Sequence, residues 1–553
     1  MNEPNEANLS GSYEAAAAND PAANTSTTPT PRKKTEYTVA EGIFAILSLV
    51  FAYFFIDTLL FLPATPGIGA AVLVFGFAAF VLGYQLVNKI PFTARSIICL
   101  VLLLLTGTFL AISNSSDLRP VVFLFDMALG LYWLFITLGA STSRDLDYLA
   151  WFDALKAMIV LPFASFGRGF AAFFGGLFGR KKHVETEKKN HAPLYVILGL
   201  LIAVIPCSIV FSLLMKDDAF SALINKIIDF PEIHIGETIL KLILAIPVSC
   251  YLFGAVFGAA RAPRKESMTY ESTHRAAKEV RFLPILLVCT VFIPLLLIYL
   301  LYFFSQTGYF LSAFANIRPD GYTYAEYARS GFFELCRVSV VNMIVIAAAE
   351  IFSRYNDRKP AVLKVFITIL SAFTLALMAI AQSKIIMYIR AYGMTPLRVL
   401  TFWFTIVLGV LFVFIILYQY LPKINFTKCA AISLVALFCA LLLSNTDALI
   451  ARYNIDRSIN DPSKKLDVYM LTEDLSDAAI PVIIEKFDSI PAGDDKTKLE
   501  TALTARAQSL ETPAAIIGSE IFCYFPPDDR DWRSWNYSEY RANKLILEKF
   551  GSK

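Results

Sequence analysis

Residues 324–342, YAEYARSGFFELCRVSVVN, carry two tyrosines, two glutamates, two arginines and an asparagine at the start of an otherwise apolar stretch. Tyr327 and Glu334 nearly coincide on a helix that turns about 100° per residue. Arg337 then lies about 60° to one side of them, and Tyr324 and Asn342 lie about 80° to the other. Such a face could bind a polar solute, because these groups are costly in hydrocarbon and mark solute pathways. The alternative is an internal Glu334–Arg337 ion pair at i and i+3.

A second polar segment, SKIIMYIRAYGMTPLR, carries Lys384 and Arg390. Gly393 predicts the end of a helix, and Thr395 followed by Pro396 predicts the cap and first residue of the next. The segment is basic, although the order of the predicted spans places it on the outer side of the membrane, away from the cytoplasm. A charge held against the positive-inside rule suggests an acidic partner on the same side.

The third polar segment, NTDALIARYNIDR, follows the last apolar stretch and carries Arg452, Asn454 and Arg457. We expect the three segments to meet at one end of a helix bundle. Their charged and amide groups form either a ligand-binding site or an internal polar network. The sequence leaves these two interpretations open.

Other ionisable residues also fall inside predicted membrane spans, namely Asp57, Asp126, Lys241 and Glu350. Each is a candidate site residue by virtue of its position. Glu350 and Lys241 lie near the ends of their spans, where a long side chain can reach the membrane surface. A structural role is therefore the simpler interpretation for them, and also for Asp126.

No known catalytic or metal-binding pattern occurs in the chain. The four histidines lack HExxH spacing, and the eight cysteines form no CxxC pair. No nucleophile elbow or phosphate-binding loop is present. We therefore predict no metal site, cofactor, catalytic residue or nucleic-acid partner.

The composition predicts a multi-pass membrane protein. The 553 residues are 56% hydrophobic and 14% aromatic, with a mean hydropathy of +0.58, which is too apolar for a soluble chain. A helix needs about 20 apolar residues to cross the hydrocarbon. The predicted fold is all-α, a polytopic transmembrane helix bundle of about eleven spans at residues 42–62, 67–88, 95–112, 118–139, 193–214, 235–258, 282–304, 331–353, 361–381, 397–420 and 426–444.

The distribution of charge predicts the threading of these spans. Lys and Arg cluster in alternate loops, which places the N-terminus in the cytoplasm and the C-terminus outside. Residues 445–553 hold 19 acidic and 14 basic side chains, a net charge of −5, so the remaining residues carry +8 of the total of +3. We expect the basic loops to contact anionic lipid headgroups of the bilayer.

Five regions follow from this threading. Residues 1–34 form a disordered cytoplasmic tail, and residues 35–140 form the N-terminal transmembrane helices. Residues 141–192 form an amphipathic segment at the cytoplasmic interface, with a re-entrant segment at 146–178 as the alternative. Residues 193–444 form the main transmembrane bundle. Residues 445–553 form an extracytoplasmic domain of three or four short helices.

The three polar segments, together with LSDAAIP at residues 475–481, resemble in order and spacing the signature segments of a bacterial multi-pass membrane family catalogued as a domain of unknown function. The resemblance covers roughly residues 190–550. It implies the bacterial cytoplasmic membrane and a bundle with a helical tail. It implies no activity and no catalytic residues.

Three classes of function fit these observations. The first is transport or permeation of a small solute or ion, which we favour because intramembrane charge commonly serves conduction. The second is an envelope sensor or membrane scaffold that binds a protein partner through its C-terminal tail. The third is a membrane enzyme acting on a lipid-linked substrate.

Overall fold

The structure is a computed structural model that describes residues 37–62, 65–141, 146, 150–177, 235–261, 279–314, 332–355, 359–421, 423–461, 463–511 and 531–551. These residues form 17 α-helices, and the only β-pairing among them is one bridge between Leu283 and Ser353. The prediction of an all-α polytopic bundle is confirmed. The predicted N-terminal tail lies outside the described residues.

Four apolar helices open the fold: α1 Val39–Leu60, α2 Ile68–Val87, α3 Ala94–Ile112 and α4 Leu118–Thr137. Six more follow a bent segment: α8 Ile235–Arg261, α9 Ile285–Phe314, α10 Phe332–Phe352, α11 Ala361–Tyr392, α12 Pro396–Tyr420 and α13 Phe426–Leu443. All ten are long and apolar enough to cross a membrane. They coincide with ten of the eleven predicted spans, and the predicted span at 193–214 lies outside the described residues.

The bent segment between them comprises α5 Ala150–Leu155, a π-helical turn Lys156–Val160, α6 Leu161–Ala164 and α7 Arg168–Leu177. Its two arms meet at 55°. Gly254 of α8 allows close packing here, since a Cβ on it would lie 2.5 Å from the Pro162 carbonyl oxygen. Asp153 and Ala172 are buried. The segment therefore packs into the bundle, and its predicted position at the cytoplasmic interface stays a prediction.

The apolar helices pack into two bundles with separate cores. Helices α1–α4, α7 and α8 surround the first core, which also receives Phe438 and Leu442 of α13. Helices α9–α12 surround the second core. Trp403 of α12 joins the two, because its indole N–H donates to the Leu437 carbonyl at 3.0 Å.

The tail forms a third core from four short helices, α14 Thr446–Asn460, α15 Ile480–Lys486, α16 Asp494–Glu511 and α17 Tyr537–Phe550. It lies over the ends of both bundles at which α1, α3, α11 and α13 finish and α2, α4 and α12 begin. We call this end the tail side. All the loops that the threading placed outside and that the structure describes lie there.

Candidate functional site

Asn342, one of the predicted site residues, joins three helices of the second bundle. It is fully buried on α10. Its Oδ1 accepts from the Tyr299 hydroxyl of α9 at 2.6 Å, and its Nδ2 donates to Thr374 Oγ1 of α11 at 2.9 Å. Because both ends of the amide are bonded to protein, Asn342 stabilises helix packing in this structure.

Glu334 and Arg337 lie exposed in the first turns of α10. Although both are described, no ion pair joins them. Glu334 instead lies close enough to Lys384 of α11 and Tyr302 of α9 to interact electrostatically with both. The structure thus brings the first and second polar segments together through Glu334 and Lys384. Tyr324 and Tyr327 lie outside the described residues.

The second and third polar segments meet at the turn after α11. Gly393 ends this helix at φ +86°, and Thr395 caps α12 by accepting from the Arg398 N–H, as the sequence predicts. Asn454 of α14 accepts from the Met394 N–H and donates to the Met394 carbonyl, both at 2.8 Å. The Asn454 side chain therefore holds the tail on this turn through two hydrogen bonds to the backbone of the turn.

Two arginines of the third segment complete this region. Arg457 donates to the carbonyls of Arg390, at 3.3 Å, and of Ala391, so it caps the C-terminal end of α11. Arg390 itself contributes a carbonyl, and its side chain is exposed. Arg452 pairs with Glu485 at 3.2 Å on the tail surface, where both side chains are about half exposed. In this structure Asn454 and Arg457 dock the tail, and a ligand-binding role for them stays a prediction.

The tail also docks on the first bundle, at the loop between α3 and α4. Asn114 donates to Asp477 Oδ2 at 2.6 Å and accepts from the Asp477 N–H at 3.2 Å. Arg506 of α16 pairs with the other oxygen of Asp477 at 2.6 Å. Asp477 belongs to the LSDAAIP segment. This signature segment therefore serves tail docking too.

A network of five charged side chains lies at the tail side of the first bundle. Asp57 of α1 pairs with Lys241 of α8 at 2.5 Å and with Arg533 of the tail. Glu237 and Asp531 complete it by pairing with Lys241 at 2.6 Å and with Arg533, respectively. The sequence places the charged residues Asp57 and Lys241 inside membrane spans, and the structure shows that each of them is paired.

Backbone contacts hold the same tail segment in place. The N–H of Gly67 donates to the Arg533 carbonyl and that of Ile68 to the Trp535 carbonyl, both at 2.7 Å. These bonds satisfy free donors at the start of α2. Gly67 permits this approach, because a Cβ there would lie 2.0 Å from the Trp535 carbonyl oxygen.

An apolar cavity of about 120 Å³ lies within the first bundle and is partly open. Five helices of the first bundle line it, namely α1, α2, α3, α4 and α8. Its side chains are apolar or aromatic except for Asp126, which lies near the middle of the 20-residue α4. The cavity is therefore an apolar space inside the bundle with one carboxyl group on its wall.

The two oxygens of Asp126 differ in their surroundings. The residue is 3% exposed. The Thr106 hydroxyl of α3 donates to Oδ1. Oδ2 is buried and has no hydrogen-bond partner among the described residues. Leaving a buried polar atom unpaired is costly, so this oxygen is suited to a ligand with a donor or a positive charge.

The bent segment contacts the wall of the cavity through Tyr251. Tyr251 of α8 lines it, and its hydroxyl donates to the Met158 carbonyl of the π-helical turn at 2.6 Å. The bent segment thus contacts the wall of the cavity on the side away from the tail. Phe55 lines the opposite part of the wall, two residues before Asp57 of the charge network.

The family model described as Domain of unknown function (DUF4153) matches residues 98–486. The chain belongs to this family. The DUF4153 match confirms the family resemblance, although it begins and ends earlier in the chain than the predicted 190–550. No curated protein and no solved structure matches the chain.

The DUF4153 segment contains the polar part of the cavity but not all of its wall. Asp126 and Thr106 lie within the matched residues, as do the docking residues Asn114, Asn454 and Asp477. Helices α1 and α2 and the end of the tail lie outside it. Among the described residues of this DUF4153 chain, no group of three or more His, Cys, Asp or Glu side chains is placed to hold a metal ion.

Sequence reasoning missed most of this cavity. The sequence places Asp126 inside a span and favours a structural role for it, whereas its aromatic neighbours come mostly from other helices and carry no local signal. Arg533 was also missed, because a single arginine in an aromatic tail segment, DWRSWNYSEY, resembles an ordinary surface residue.

Proposed function

We propose that this multi-pass membrane protein transports a small solute, which binds in the cavity beside Asp126. The observation that carries the proposal is the buried, unpaired Oδ2 of Asp126 in the wall of an apolar cavity. A carboxylate at the centre of a membrane helix costs roughly 2.5–3.5 kcal/mol on insertion scales. Thr106 offsets part of that cost at Oδ1, and a bound solute would offset it at Oδ2.

The surroundings of the cavity support movement of the solute through the first bundle. The charge network around Asp57 lies nearer the tail than the cavity does, and the bent segment that bonds Tyr251 lies on the opposite side. We propose that these two elements close the cavity in turn. A binding site between two closures is the arrangement that alternating access requires. The network consists of side-chain pairs, so it can open without unfolding a helix.

The proposal includes the location and orientation expected from the sequence. We place the protein in the bacterial cytoplasmic membrane with the tail outside. Basic residues at the end opposite the tail support this orientation; Arg261, Arg281 and Lys359 are examples. Under this orientation the charge network faces the outside, and the bent segment faces the cytoplasm.

A transport assay tests the proposal. Cells expressing the full chain are profiled for uptake and efflux of a panel of small solutes, beside cells expressing Asp126→Asn. We expect a solute whose flux depends on the protein and falls about tenfold or more in Asp126→Asn, since one hydrogen bond to a charged group is worth about 1.5–3 kcal/mol. Asp117→Asn is the matched control, because Asp117 is exposed at the start of the same helix. Equal flux in Asp126→Asn and Asp117→Asn would contradict the proposal.

The same assay separates the cavity from the first predicted site. Glu334→Ala and Arg337→Ala change exposed residues of the second bundle, so we expect them to retain the flux. Loss of flux in these two variants with normal flux in Asp126→Asn would move the transport site to α10.

The docked tail supports a second candidate function, an envelope sensor or membrane scaffold. Asp477, Asn454 and Arg533 fasten the tail to both bundles through side-chain contacts. A partner that binds the tail would therefore act on both bundles at once. A flux that is absent for every solute, together with a partner captured only when residues 445–553 are present, would favour this function.

A further inference from the structure

We infer that the solute of the Asp126 cavity is a small organic ammonium ion with an apolar substituent. This inference rests on the proposed function only in taking the same cavity as the solute site. It concerns what the cavity binds, which equilibrium binding measures without any transport.

The cavity wall carries one acidic group and no basic group among the described residues. Asp126 is the only ionisable carboxyl group on the wall, and no Lys, Arg or His lines the cavity among the described residues. Lys241, an intramembrane cation on α8, is already held by Asp57 and Glu237. A cationic ligand therefore completes a charge pair that the protein itself leaves incomplete.

Four phenylalanine rings form much of the cavity wall. Phe51 contacts Phe55 and Phe77 with ring centroids 6.4 and 6.3 Å apart, and Phe55 lies 6.5 Å from Phe123. All four rings line the cavity. Aromatic faces attract cations, and groups of them recognise organic ammonium ions. The remaining polar lining group, the Tyr251 hydroxyl, is bonded to Met158.

The size of the cavity and its single carboxylate favour an organic ammonium ion over a hard metal ion. A volume of about 120 Å³ is close to the roughly 150 Å³ that holds one benzene ring in a protein. A hard metal ion needs about six oxygen ligands, whereas this wall offers one carboxyl group. An ammonium ion needs only one anionic partner, and its apolar substituent fills the rest of the space.

Equilibrium binding of matched probes tests the inference. The purified full chain in detergent is titrated with benzylammonium, with the neutral benzyl alcohol and with the anionic benzoate. We expect benzylammonium to bind about tenfold or more tightly than benzyl alcohol, because hydrogen bonds to charged groups are the stronger ones. Asp126→Asn should remove that preference while keeping weak binding of benzyl alcohol. Asp117→Asn should leave the preference unchanged.

A second variant tests the cavity without altering charge. Val248 lines the cavity, and Val248→Phe should fill it and weaken both benzylammonium and benzyl alcohol. If Asp126→Asn does not fold, two measurements still test the inference. They are the effect of Val248→Phe and the ratio of the two affinities in the unaltered chain. Equal affinities for the cation and the alcohol, as expected of a cavity that takes a lipid chain, would overturn the inference. So would a preference for the cation that survives in Asp126→Asn, or affinities for both probes that Val248→Phe leaves unchanged. Preferential binding of benzylammonium without any uptake would support the inference and contradict only the transport proposal.

Discussion

Arg533 forms an ion pair with Asp57, although 476 residues separate them in the chain. The pair fastens the end of the tail to the first membrane helix. Asp57 also holds Lys241 of α8, so one carboxylate joins the tail and two helices of the first bundle. Asp57 follows Phe55 of the cavity wall by two residues, so the tail is fastened close to the proposed solute site.

Replacing Arg533 should loosen the tail. Both Asp57 and Arg533 are largely buried, with side chains 18% and 13% exposed. We expect Arg533→Met to lower the free energy of unfolding by roughly 1–3 kcal/mol, less than for a fully buried pair because Asp57 keeps Lys241. Thermal unfolding and limited proteolysis of the tail measure this effect. Arg452→Met is the control, since its exposed pair with Glu485 is worth about 0–1 kcal/mol. Equal effects of the two changes would show that the Asp57 pair does not hold the tail.

Gly393→Ala should disturb the contact between the tail and the second bundle. Gly393 has φ +86°, and a Cβ there would lie 2.5 Å from Asn454 Oδ1. The backbone at φ +86° and ψ 174° is essentially restricted to glycine and costs an alanine roughly 1–3 kcal/mol. Displacement of the Asn454 amide also breaks two hydrogen bonds to Met394. We expect a loss of about 2 kcal/mol or more in thermal unfolding. Gly409→Ala, in open space within α12, should change stability by no more than about 1 kcal/mol, and in the favourable direction. If Gly393→Ala leaves the stability unchanged, the tail does not rest on this turn.

Asp447, at the start of α14, should give the tail a dependence on pH. Burial raises its pKa above the usual 3.8, and Asp117 adds to this, while hydrogen bonds from Ser476 and Ser115 oppose it. The folded tail therefore binds the proton more tightly than the unfolded chain does. Stability should fall as the pH rises from below 3.8 through the raised pKa of Asp447.

Asp447→Asn tests this dependence, because the amide keeps an acceptor for Ser476 without the buried charge. We expect the variant to be more stable than the unaltered chain at neutral pH and to lose this part of the pH dependence. Thermal unfolding across the pH range measures both. A variant that is less stable at neutral pH would show that the charged carboxylate is favourable there.

The membrane helices could be predicted from sequence because their length and apolarity are set by the bilayer and need no knowledge of neighbours. The cap at Thr395 and the stop at Gly393 could be predicted for a similar reason, since they depend on local backbone conformation. The pairing of polar residues could not. Glu334 and Arg337 have the spacing of a helical ion pair, yet Glu334 lies near Lys384 on another helix.

The cavity was beyond prediction for a related reason. A phenylalanine in a membrane helix gives the same signal whether it faces lipid, a core or a cavity, so Phe51 and Phe77 were indistinguishable from their neighbours. Asp126 could be recognised as unusual from its position in the span alone. Its importance depends on Oδ2 being unpaired, which only the arrangement of five helices determines.

Reaction of Asp126 with a small lipophilic carbodiimide tests directly whether a solute occupies this cavity. Diisopropylcarbodiimide modifies carboxyl groups that an apolar reagent can reach, and mass spectrometry of the peptide from α4 reports the extent of modification. We expect Asp126 to be modified in the full chain, benzylammonium to protect it, and Val248→Phe to suppress the reaction. An Asp126 that stays unmodified, or that reacts equally with and without benzylammonium and in Val248→Phe, would contradict a solute site in this cavity.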